Sequence, residues 1–167
     1  MARKQKDRVR VSDGLDHRIT VRLTRANAGV LSQAVRILKK TSGLSVNQWR
    51  LMTFLDDVGA GTISQFRQFG GIDKATLSRT AAQLQEMGFL EAQPSDSDNR
   101  QVVLRLTEAG QAALEKSKPA MAARHRRMQM SLSAEELATF FAALEKIERA
   151  TQVDEPWAGD GSMEAAE

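Results

Sequence analysis

The chain has no cysteine among its 167 residues. Disulfides, thiol redox switches and thiolate metal sites are therefore excluded together. Histidine is nearly as scarce, with only His17 and His125. Nothing at a recognisable spacing supplies a third or fourth metal ligand, so both read as packing or surface residues, and no metal or cofactor is expected. Neither His-Glu-x-x-His nor Gly-x-Ser-x-Gly occurs. Acidic pairs such as Asp56-Asp57 and Glu135-Glu136 are adjacent, so on helices they diverge by ~100° and do not easily share a substrate. An enzyme is not expected. Gly59-Ala60-Gly61 lacks both the third glycine of a dinucleotide fingerprint and the Gly-Lys-Ser/Thr end of a P-loop, and it reads as a turn. No apolar run approaches the ~20 residues of a membrane span. The start Met1-Ala2-Arg3-Lys4-Gln5-Lys6 has no apolar core behind it, so no signal peptide is read and a cytoplasmic location is expected.

What is present is an ordinary globular composition, 41% hydrophobic and 27% charged. The length suits one domain, or a small module joined to an assembly element. Charge is unevenly spread. Asp154, Glu155, Asp160, Glu164 and Glu167 face no Lys or Arg after residue 150, so an overall +3 leaves +8 on residues 1–150. A basic body suits a polyanion through phosphate contacts, or it serves solubility alone; charge by itself does not separate the two.

The most informative stretch runs from Thr62 to Arg105. Thr62 with Gln65 forms a capping box at a helix start, and Gly70-Gly71 stops that helix. Asp73 then caps a second helix, in which Leu77, Ala81 and Leu84 recur as a buried stripe with Met87 beside it. Ala75, Arg79 and Ala82 point the other way, with Thr76 and Gln83 on one flank and Ser78 on the other. Such a face is either a solvated surface or one small enough to enter a major groove, where Arg on guanine is the commonest specific contact. A hairpin follows, with Leu90 and Ala92 on one strand and Val102, Leu104 and Leu106 on the other. Its tip, Pro94-Ser95-Asp96-Ser97-Asp98-Asn99, is rich in turn residues. Asp98 lies two residues before Arg100 and can hold that guanidinium extended for a narrow minor groove.

Four runs in this order, Asp73-Lys74-Ala75-Thr76-Leu77-Ser78-Arg79, Leu84-Gln85-Glu86-Met87-Gly88-Phe89-Leu90, Asp98-Asn99-Arg100, and Leu104-Arg105-Leu106-Thr107-Glu108-Ala109-Gly110, resemble the MarR family of bacterial transcriptional regulators. The resemblance covers roughly residues 15 to 150 and is firmest between 45 and 110. Members that sense peroxides through cysteine are not a guide to this chain. The resemblance implies a mainly α (α+β) fold, a winged helix-turn-helix with N- and C-terminal dimerisation helices. It implies a homodimeric regulator, a repressor of a pseudo-palindromic operator, released when a small aromatic or phenolic anion binds near the junction of the dimerisation helices and the DNA-binding lobe.

The organisation expected is a flexible basic arm at 1–14, an N-terminal dimerisation helix at 15–44, the winged helix-turn-helix at 45–107, C-terminal dimerisation helices at 108–150 and a disordered acidic tail at 151–167. The arm carries Arg3, Lys4, Lys6, Arg8 and Arg10, and reads either as a reach to DNA phosphates or as a frayed terminus. Residues 15–40 show two apolar stripes, Ile19-Leu23-Ala26-Val30 and Val21-Ala28-Leu31-Val35-Leu38, which ask for two partners. Ser45 with Gln48 and Ser133 with Glu136 are further capping boxes. Pro119 is expected to kink one long helix. Arg124-His125-Arg126-Arg127 reads as a solvated face or as an approach to phosphate or ligand. Leu137, Phe140, Phe141, Leu144 and Ile147 form an apolar ridge that needs a partner. The DNA-contacting set is Lys74, Thr76, Ser78, Arg79, Gln83, Asp98 and Arg100. His17, Arg18, Arg22, Trp49 and Arg50 are candidates for stacking and charge at a ligand pocket, against the alternative of a core tryptophan with solvated arginines. The competing function is a winged-helix protein-interaction module without sequence-specific DNA binding, which has no need of both Arg79 and Arg100.

Overall fold

The computed structural model describes residues 17–94 and 102–151, leaving aside the side chains of residues 69 and 70. The basic arm, the hairpin tip with Asp98 and Arg100, and the acidic tail lie outside the described residues. In chain order the elements are α1 (Ile19–Thr41), α2 (Val46–Val58), α3 (Ile63–Gly70), α4 (Lys74–Glu86), β1 (Leu90–Pro94), β2 (Val102–Leu106), α5 (Glu108–Glu115), α6 (Lys118–Gln129) and α7 (Ala134–Thr151). This is a mainly helical winged helix with a two-stranded antiparallel sheet.

The helix starts follow local chemistry. At α2, Gln48 N–H donates to Ser45 Oγ (3.2 Å) while Ser45 N–H donates to Gln48 Oε1 (2.8 Å). The same reciprocal pair opens α3 through Thr62 and Gln65, and α7 through Ser133 and Glu136. Each satisfies two backbone donors that the first helical turn leaves free. Gly71 ends α3 in the left-handed region at φ 57°, a conformation costly for any side chain with a Cβ.

The chain divides into two compact units between residues 122 and 123, within α6. In the first, Leu51, Met52 and Leu55 of α2 pack with Leu77, Ala81 and Leu84 of α4, Leu90 and Leu104 of the hairpin, and Leu114 of α5. Complete burial of each such leucine favours folding by roughly 1.5–3 kcal/mol. Sequence placed α5 with the C-terminal helices, yet Ala113 and Leu114 sit inside this core. A smaller cluster joins Ala34 and Leu38 of α1 to Met121. Here the stripes read from sequence need correction: Ala34 belonged to neither, while Val35 (53% exposed) and Ile19 (59%) are outward. The buried residues of α1, Ala34 and Leu38, lie toward its C-terminal end. In the second unit α7 buries no residue completely, and Phe140 and Phe141 are exposed.

Two further expectations change. Pro119 does not kink a long helix, because α5 ends at Glu115 and α6 begins at Lys118. Proline thus falls in a first turn, where its missing N–H costs nothing. Met87 is 47% exposed. It lies one residue past α4, beyond the reach of the buried stripe.

Candidate nucleic-acid interface

The helix-turn-helix comprises α3 and α4. Thr76 N–H donates to Asp73 Oδ1 at 2.9 Å, which fixes the first turn of α4. That bond, aided by the nearby Arg79 charge, holds the Asp73 carboxyl below the usual range. Leu77, Thr80, Ala81 and Leu84 face the core. On the opposite side Lys74, Ala75, Ser78, Arg79, Ala82 and Gln83 are exposed and Thr76 is half-buried. All five predicted contacts on this helix thus lie off its buried face. Arg79 rests along its own helix, donating through Nε to Ala75 O and through Nη2 to Thr76 Oγ1, both at 3.3 Å. Gln83 accepts from Gln48 Nε2 of α2 at 3.4 Å.

Lys74 and Ser78 border a groove of about 320 Å³, which Thr62, Ser64, Gln85 and Val102 also line. Sequence reasoning did not include Thr62 and Ser64 in the site, because it treated the start of α3 as a cap only. Gly61, read as part of a turn, also pairs with Leu104 of β2 through two backbone bonds of 3.1 and 2.9 Å. A Cβ on Gly61 would stand 2.7 Å from Phe54 Cε1, so the close approach requires glycine.

The hairpin is held at its base. Leu90 pairs with Leu106, Ala92 with Leu104 and Pro94 with Val102. Leu90 and Leu104 are buried, whereas Ala92 and Val102 are exposed, so the apolar face expected along both strands runs out toward the tip. Thr107 Oγ1 donates to Gly88 O at 2.7 Å and accepts from Gly110 N–H at 3.0 Å. A Cβ at Gly110 would meet Phe89 O at 2.1 Å. The Leu-Thr-x-x-Gly run therefore acts as a clamp between α5 and the wing.

A separate cleft of about 570 Å³ is lined by Trp49, Arg50, Thr53, Phe54, Asp57 and Val58 of α2 and by Phe66 of α3. Of the five proposed ligand residues it brings together Trp49 and Arg50. His17, Arg18 and Arg22 are exposed around the start of α1 and do not line it. Thr53 and Asp57 were missed, although they follow Trp49 at i+4 and i+8, the spacing of one helical face. Among the described residues no group of three or more His, Asp or Glu could hold a metal ion, and no helix is long and apolar enough to cross a membrane.

A capped helix with a solvent-facing polar side, preceded by a short helix and followed by a clamped hairpin, defines a winged helix-turn-helix protein. Residues 42–101 match the MarR family model. Over this stretch the chain is similar to the MarR family. It is similar to the HTH-type transcriptional repressor IacR of Pseudomonas putida, at 28% identity over 94 residues, 56% of each chain. The chain thus spans about half the length of the curated relatives it matches. A MarR-family transcriptional regulator from Silicibacter pomeroyi superposes with a TM-score of 0.69 at 26% identity, covering 86% of this chain and 96% of that one. BpsR of Bordetella bronchiseptica, whose DNA binding is regulated by 6-hydroxynicotinic acid, shares the fold with a TM-score of 0.71 at 22% identity, over 83% and 96% of the chains.

Proposed function

We propose that the protein is a DNA-binding transcriptional regulator, a homodimeric repressor of a pseudo-palindromic operator that is released by a small aromatic or phenolic anion. The observation that carries the reading is the outward face of α4. It combines two alanines, which leave room near base edges, with Lys74, Thr76, Ser78, Arg79 and Gln83 on a helix whose start is rigidly capped. In a dimer two such helices read half-sites about one DNA turn, roughly 34 Å, apart. Arg79 swings off Ala75 O to reach a base, Lys74 meets phosphate, and Arg100, positioned by Asp98, enters the minor groove at the wing.

The test is binding to DNA upstream of the protein's own gene at two salt concentrations, with wild type beside Arg79→Ala. Loss of one bidentate base contact lowers affinity by about 1–3 kcal/mol, roughly 5- to 150-fold. Salt-sensitive binding that weakens in the variant supports operator reading. Equal weak binding by both proteins points instead to an interaction module. Release by ligand draws support from the cleft on α2 and from the regulation of BpsR by an aromatic acid. It requires only that the ligand bind the DNA-incompetent arrangement more tightly.

A further inference from the structure

We infer that the basic face at the end of α1, formed by Arg36, Lys39 and Lys40, holds the phosphate backbone of duplex DNA beyond the half-site read by α4. The inference rests on the DNA-binding regulator proposed above and extends its contact with the operator.

Charge of one sign carries the argument. No Asp or Glu stands between Asp16 and Asp56, whereas seven Lys or Arg do. At ~100° per residue, Arg18, Arg22, Arg25, Arg36, Lys39 and Lys40 share about 100° of arc on α1 and its N-cap. That arc lies opposite the buried Ala34 and Leu38, and all six cations are exposed. The helix itself gains little from this pattern. Like charges three or four positions apart oppose one another, and the helix dipole disfavours Arg18 and Arg22 at the N-terminal end, where the first turn has no acidic residue. A solvated face commonly alternates in sign. A face of cations alone suits a polyanion.

Continuity with α4 decides which polyanion. Gln83, on the outward side of α4, accepts from Gln48 Nε2 of α2 at 3.4 Å. Gln48 in turn lines a groove of about 410 Å³ with Ser45, Asn47 and Lys39, between the start of α2 and the end of α1. A polar path thus leads from α4 to the first of the three cations. The turn between the helices is held, because Gly43 N–H donates to Leu38 O at 2.8 Å and Leu38 and Leu44 are both buried. Arg36 is steadied by Ser32, to whose Oγ its Nη1 donates at 2.8 Å, while Lys39 and Lys40 have no ion pair among the described residues. A duplex that continues past the Gln83 end of α4 meets Gln48 and Asn47 and then these cations. Such contacts position the protein and carry no base preference.

The test uses the full chain and two duplexes cut from the DNA upstream of its own gene once the footprint is mapped. One holds about 20 base pairs with both half-sites, and the other adds about ten native base pairs at each end. At about 50 mM salt wild type should bind the long duplex at least about tenfold more tightly. Its salt slope should be steeper by about 0.9 for each added phosphate contact, about 2.7 for three. The triple variant Arg36→Gln, Lys39→Gln, Lys40→Gln should bind the short duplex as wild type does, which shows that it folds, and should lose the gain from the long one. Reshuffled flanks should give wild type the same gain. A gain that disappears on reshuffling overturns the proposal, as does a triple variant that keeps the gain or weakens both duplexes by the same factor. Wild-type binding to the short duplex with no gain from the long one rejects the flank contact alone and leaves the face to solvent or to an acidic protein. Absence of binding to either duplex rejects the regulator.

Discussion

Gly110 shows how a motif glycine acts at the scale of one residue. Its missing Cβ lets the first turn of α5 lie against the carbonyl of Phe89, and Thr107 bonds the adjacent Gly88 carbonyl from the same side. Gly110→Ala should destabilise the fold by about 1–3 kcal/mol, because the clash is with backbone that cannot rotate away. Urea unfolding measures this, and an unchanged midpoint would show that the hairpin base yields. Asp73 offers a second test. Its carboxyl is held below the usual range in the folded state, so the cap stabilises above the unfolded value and is lost as pH falls through the folded one. The thermal midpoint of Asp73→Ala should therefore lie below that of wild type at neutral pH and approach it in acid. Both residues stood out in the sequence, but their reasons differ. Capping is local, whereas the Gly110 contact joins residues 21 positions apart and needed coordinates.

At the scale of elements, α2, α5 and α6 meet in a polar cluster. Lys118 Nζ reaches Asp56 at 2.7 Å and Glu115 at 2.5 Å, while Gln111 Nε2 donates to Asp56 at 2.7 Å and to Glu115 at 3.0 Å. The bond from Lys118 lowers the Asp56 pKa, and Asp56 raises that of Lys118. A depressed carboxyl stabilises above its unfolded pKa, and a raised lysine stabilises below its own, so the cluster is complete through the neutral range. Asp56→Asn should cost about 1 kcal/mol at pH 7, the upper end for a partly exposed pair. The difference from wild type should shrink as pH falls below the carboxylate range. A gap that persisted in acid would mean that the asparagine disturbs packing rather than charge. Sequence had seen Asp56 only as one of an adjacent acidic pair. Its partners lie more than 50 residues away, on helices whose break at residues 116 and 117 was itself not foreseen.

At the scale of the whole molecule, each unit leaves apolar surface uncovered. In the first, Ile19, Val30 and Val35 of α1 are exposed; in the second, Phe140 and Phe141 are exposed with their ring centroids 6.1 Å apart. Adjacent exposed phenylalanines are disfavoured in water and suit a partner helix, which is why a homodimer is proposed. Sedimentation should find a dimer, and Phe140→Glu with Phe141→Glu should shift it toward monomer. Operator affinity should then fall by at least about tenfold, because the second half-site is no longer bound intramolecularly. A double variant that remains dimeric and binds DNA normally would place the interface elsewhere.

Local sequence was enough to place the helix starts of the helix-turn-helix lobe, the buried and outward faces of α4, and the family those features resemble. Each depends on residues within a few positions of one another, through capping and helical periodicity. Folding in three dimensions settles that α5 enters the core, that Gly61 and Gly110 mark close approaches, and that Trp49 and Thr53 keep unpartnered polar atoms beside a cleft that Phe66 helps to line. Those outcomes depend on which distant segments come together, and on which polar groups the packing then leaves without a partner.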